Sequence, residues 1–126
     1  MKKVIAPLFL LAVLWAGAAS AQRTMKPAEE RAANTTEWMK TNLKLNEDQT
    51  AKAQDINLKY ARRMDELQNS SDNRSVKITT LKKEMDAKDA ELKQVFTDEQ
   101  YKSYEARKAE MKTNFRAEMK KRKAER

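Results

Sequence analysis

Gly17 is the only glycine in this chain of 126 residues, and it falls inside a segment that reads as an export signal. Lys2 and Lys3 form the charged start, Val4 to Trp15 an apolar run, and Ala19-Ser20-Ala21 the small residues a signal peptidase requires. Cleavage between Ala21 and Gln22 is expected, leaving residues 22–126 as one exported domain. Pro7 leaves with the signal, so the remaining chain has no glycine and a single proline, Pro27. Positive-φ turns become costly, and helix interiors lose their two strongest disruptors. Such a chain folds into long helices joined by few turns, an all-α class.

About 22 large apolar residues, from Met25 to Met119, are spread over the 105 positions from Gln22 onward. That is too few for a thick closed core, so the helices should form a thin layer or complete a core by dimerising. No cysteine is present, which excludes a lipid-anchored lipoprotein and any disulfide. Losing Lys2 and Lys3 lowers the net charge from +8 to +6, and Lys102–Arg126 holds all of that excess, with 10 basic residues against 4 acidic. A basic segment suits nucleic acid, an anionic membrane or an acidic protein surface. Export argues against nucleic acid.

Four helices can be read from the periodicity. The first follows Pro27, a residue suited to a first helical position, and carries Ala32, Thr36, Met39 and Leu43 on one face, with Trp38 beside it. The second spans about Glu47 to Gln68, with Ala53, Ile56, Tyr60, Met64 and Leu67 as its stripe. Asn69-Ser70-Ser71-Asp72-Asn73 breaks the pattern with residues that bond their own backbone. The third spans about Arg74 to Val95, with Ile78, Leu81, Met85, Leu92 and Phe96 in helical register and a polar gap at Lys88 and Asp89. The fourth starts after Thr97, is marked by Tyr101, Tyr104, Met111, Phe115 and Met119, and is interrupted by Lys108. Its end, Lys120 to Arg126, has almost no apolar face and is expected to fray.

Two segments share one pattern. Leu45-Asn46-Glu47-Asp48-Gln49 precedes the second helix and Phe96-Thr97-Asp98-Glu99-Gln100 the fourth. Asn46 and Thr97 can accept from a free first-turn N–H, while Gln49 and Gln100 can return a bond to the cap backbone, forming two capping boxes. The intervening acids suit the positive helix start. Phe96 can pack on Tyr101 as a hydrophobic staple, whereas Leu45 meets only Thr50. Two such boxes, 51 positions apart, imply a duplicated helix-pair plan.

In these segments, LNEDQ and FTDEQ, the chain resembles the Spy/CpxP family of periplasmic proteins, whose mark is a pair of LTxxQ motifs. Asn46 stands for the first threonine and Phe96 for the second leucine; Pro27 to Gln49 also looks like small LTxxQ-type exported proteins of Bacteroidota. The resemblance implies a periplasmic, four-helix extended hairpin of long helices that dimerises into a cradle. It also implies ATP-independent chaperone activity toward unfolded or stress-damaged envelope proteins. Some relatives instead act as regulatory adaptors on a sensor kinase. The motif positions carry over as helix junctions, not as a binding site.

No enzyme chemistry, metal site or cofactor is expected. The chain has neither His nor Cys, and phosphate loops need glycine. The adjacent acids Glu47/Asp48, Asp65/Glu66 and Asp98/Glu99 splay apart on a helix and have basic neighbours, unlike a sheltered catalytic pair. For a holdase, the candidate client contacts are Trp38, Met39, Arg62, Arg63, Met111 and Phe115, each with a competing reading as core or solvated surface. For an adaptor, the basic last helix would dock on an acidic partner domain. A membrane-surface role is disfavoured, because Lys108 interrupts an already thin apolar face.

Overall fold

The computed structural model describes residues 25–126, so the expected signal at 1–21 lies outside the described residues. It holds four helices and, among the described residues, no strand: α1 Ala28–Leu43, α2 Glu47–Asn69, α3 Arg74–Val95 and α4 Asp98–Ala124. The all-α reading is met, with each of the four helices where the periodicity sets it. Pro27 sits one position ahead of the helix, and its carbonyl accepts from Arg31 N–H at 3.0 Å. Asn46, Asn73 and Thr97 cap the other three starts, accepting from the backbone N–H of Gln49, Val76 and Gln100. Helix α4 runs on through Lys120 to Ala124, with Lys121, Arg122 and Lys123 complementing its negative end.

The helices pack antiparallel in chain order. Helix α1 lies along α2, its Ala28, Ala32, Thr36, Met39 and Leu43 buried against Ala53, Asn57, Tyr60 and Ala61. Helix α3 lies along the other side of α2, joined by Lys59 to Glu91 at 2.6 Å and Arg63 to Glu84 at 2.9 Å. The first turns of α4 then fold back across α1 and α3. One small core gathers there, from Met39, Leu43, Leu45, Ala53, Leu92, Phe96 and Tyr104, with Trp38, Ile56, Val95 and Tyr101 partly buried around it. The core is small, in keeping with the sparse apolar content. Phe96 meets Tyr104 edge-on, with ring centroids 5.8 Å apart, one turn beyond the expected staple partner Tyr101.

The missing glycine leaves a mark at the α1 end. Lys44 takes the left-handed conformation, φ 54°, that usually belongs to glycine after a helix. Its side chain has no structural task there, so Lys44→Gly should raise the unfolding free energy by roughly 0.5–1 kcal/mol. Urea titration followed by circular dichroism would read this as a higher midpoint at constant slope. An unchanged or lower midpoint would mean that backbone freedom in the unfolded chain outweighs the relieved strain.

A second local cost sits between α1 and α2. Asn57 is 2% exposed and donates to Thr36 Oγ1 at 3.0 Å and Met39 Sδ at 3.4 Å, but its own carbonyl oxygen has no partner. Thr36 keeps its own bond to the Ala32 carbonyl, so it does not depend on Asn57. Asn57→Leu removes an orphaned buried acceptor without stranding another group, and should stabilise by about 1 kcal/mol. Asn57→Asp should destabilise by more than that, because a carboxylate is costlier to bury. Comparing the two unfolding midpoints tests the sign of each.

Candidate functional site

The two motif segments meet. Each glutamine closes its own box: Gln49 Oε1 accepts from Asn46 N–H at 3.1 Å, and Gln100 Oε1 from Thr97 N–H at 2.9 Å. Each amide then crosses to the other helix pair. Gln49 Nε2 donates to the Val95 carbonyl at the end of α3 at 3.1 Å, and Gln100 Nε2 to the Leu43 carbonyl at the end of α1 at 3.2 Å. Between them, Gln49 Nε2 donates to Gln100 Oε1 at 2.7 Å, and Gln100 Nε2 reaches Gln49 Oε1 at 3.3 Å. Free carbonyls at two helix ends and free N–H groups at two helix starts are thus satisfied by one pair of side chains. Leu45 and Phe96, which open the motifs, are both buried beneath this contact. The junctions thereby act as a clamp between the two helix pairs.

The two polar interruptions also find each other. Asp89, the gap in the α3 stripe, accepts from Tyr104 Oη at 2.8 Å and pairs with Lys108, the gap in the α4 stripe. Lys108 lies 4.9 Å from the Tyr104 ring centroid. Burial, reinforced by the hydrogen bond to Asp89, pushes the Tyr104 phenol up, so it stays protonated and donating. A similar polar seam joins α2 to α3. There the Lys59 ammonium holds the Glu91 carboxyl below its ordinary range while Tyr60 Oη donates to Glu91 at 3.0 Å.

This geometry sorts the client-contact candidates. Met39 is 1% exposed and belongs to the core, which corrects its expected place on a binding surface: the face it shares with Ala32, Thr36 and Leu43 is covered by α2 and the start of α4. Trp38 is half-buried against the same cluster. Arg62 is exposed but pairs with Glu29 at 3.1 Å, and Arg63 pairs with Glu84 and lies 5.1 Å from the Tyr60 ring centroid. Both arginines therefore tie helices together. Met111 and Phe115 alone stand free, Phe115 being 65% exposed. Every residue from Ala109 to the end of the chain is exposed, so the last turns of α4 project beyond the core.

Met119, Ile78 and Met85, which periodicity sets on the helical stripes but not among the client contacts, are also uncovered. They read as core because their spacing is that of core residues; only the parting of α3 and α4 exposes them. The groove between α2 and α3, lined by Arg63, Glu66, Leu67, Thr80 and Glu84, lies open on the surface. Among the described residues no three acidic side chains gather at metal-binding spacing, and no helix is long and apolar enough to cross a membrane.

The sequence model of a family described as a domain of unknown function, DUF4890, matches residues 16–104. No curated protein and no solved structure matches the chain.

Proposed function

The chain belongs to the DUF4890 family, and we propose that it is an ATP-independent periplasmic holdase that shields unfolded or stress-damaged envelope proteins. The observation that carries this reading is the free half of α4. Met111, Phe115 and Met119 stand exposed on one stripe, on a helical arm that no other described residue covers. An exposed apolar patch on a helix so rich in charge is costly unless it meets another surface. Two of the three side chains are methionines, which adapt their shape to varied partners. The LTxxQ-like junctions support the same reading through resemblance, and a second copy could complete the cradle such relatives form. The protein is expected to slow aggregation of a chemically denatured client at near-equimolar ratio, without nucleotide. Light scattering that rises at the same rate with and without the protein would overturn this.

A regulatory adaptor is the second reading, favoured by the cations that close α4. Lys120, Lys121 and Lys123 are exposed and have no ion-pair partner among the described residues, which suits an acidic sensor domain. Removing Lys120–Arg126 should then abolish capture of a defined partner while client protection persists. Loss of protection instead, with no partner recovered from the intact protein, would exclude the adaptor.

A further inference from the structure

Past Asp89, α3 and α4 part company, and the contacts at Asp89 establish which faces look at each other. Tyr104 and Lys108 reach Asp89 from one side of α4. Met111, Phe115 and Met119 follow Lys108 at steps of three, four and four, so they continue that side. On α3, Met85, Leu81 and Ile78 precede Asp89 at steps of four, four and three, continuing the facing side in the opposite direction. Yet Ile78, Met85, Met111, Phe115 and Met119 are all exposed. Both stripes thus continue the sides that meet at Asp89, and neither is covered where the helices part.

Charge narrows what can enter. Lys112, Arg116, Lys120 and Lys123 run along one edge of the α4 stripe. On α3, Lys82 lies one turn beyond Ile78, and Lys88 three residues beyond Met85. None of these six has an ion-pair partner among the described residues. Glu84, Asp89 and Glu118 are engaged by Arg63, Lys108 and Arg122, whereas Glu105, Glu110 and Glu125 have no ion-pair partner among the described residues, which leaves this half of α4 with an excess of cations. Asp86 is the one carboxylate of α3 between Arg74 and Asp89 left unpaired among the described residues. Burial pulls the Lys88 ammonium below the usual lysine range, a cost that an arriving carboxylate would offset.

Closing the arm of this copy, or of a second one, onto α3 would set cations against cations. A bilayer is flat and meets one stripe at a time, whereas a polypeptide segment can lie between both. We infer that the opening between the first half of α3 and the last half of α4 receives an amphipathic segment of a non-native protein, apolar on one face and acidic along its edges. This rests on the holdase reading and names the class of client it holds.

Two fluorescent helical peptides with the same apolar stripe, one edged with Glu and one with Lys, test this by anisotropy titration against the protein. Vesicles of phosphatidylglycerol form a third arm. The Glu-edged peptide should bind at least about tenfold more tightly than the Lys-edged one. Ile78→Ser and Arg116→Glu should each weaken it several-fold without moving the unfolding midpoint, and vesicles should not displace it. Equal affinity for both peptides, indifference to both variants, or displacement by vesicles would overturn the inference. So would sedimentation showing a dimer that Ile78→Ser dissolves, since a second copy would then fill the opening. If aggregation is suppressed but the peptides show no charge preference, the holdase reading stands without this site. If the Glu-edged peptide binds as described while no client is protected, the site stands and the holdase reading falls.

Discussion

Gln100→Ala should lower the unfolding free energy by about 2–3 kcal/mol, a large share of the stability of a domain with so small a core. The side chain accepts from Thr97 N–H at 2.9 Å and from Gln49 Nε2 at 2.7 Å, and donates to the Leu43 carbonyl at 3.2 Å. Truncation breaks the box and also strands a helix-end carbonyl and half of the Gln49 amide. Gln49→Ala should cost a similar amount through Asn46 and Val95. The double variant should cost less than the two single losses together, by roughly 0.5–2 kcal/mol, because each amide has the other as a partner. Gln100→Glu separates the two tasks. A glutamate still accepts from Thr97 N–H, as capping boxes ordinarily allow. It cannot donate to Leu43, and it sets a negative charge against the negative end of α1. A variant as stable as the parent in urea would show that the cap alone matters and the crossing bonds contribute little.

Replacing Met111, Phe115 and Met119 together with serine should cut client protection by at least about tenfold, which corresponds to about 1.4 kcal/mol of lost contact. The unfolding midpoint should stay nearly fixed, because none of the three touches the core. Serine is a weaker helix former, so some loss of helical signal at the end of α4 is expected without global destabilisation. Met39→Ala is the counterpart. That side chain is wholly buried in the main cluster, and truncating it should cost about 2–4 kcal/mol of stability by leaving a cavity. Protection by whatever fraction remains folded should be unaltered. If the serine variant protects a client as well as the parent does, the arm is not the holding surface.

Met39 and Met111 show how far residue type alone can be read. Both are methionines on helical stripes beside larger aromatic or aliphatic neighbours, and both look fit for client contact. One is sealed by α2 and α4, while the other extends past the last interhelical contact. Arg62 and Arg63 make the same point for charge. Each looks free in the sequence, and each has found a carboxylate 33 or 21 positions away.

What the sequence by itself determined is local. The absence of glycine from the expected mature chain and the apolar periodicity set four helices, and the two boxes set two of their three junctions, because a cap bonds residues only three positions apart. Even the strain at Lys44 follows from having no glycine to take a positive φ. What the tertiary structure alone decided is which partners lie across the gaps. The crossing of the Gln49 and Gln100 amides, the pairing of Asp89 with Lys108, and the exposure of the outer halves of α3 and α4 all depend on the angle at which helices meet. That angle is set by the packing of Leu92, Phe96 and Tyr104 together with Met39 and Leu43, residues far apart in the chain, whose burial depends on several helices closing at once.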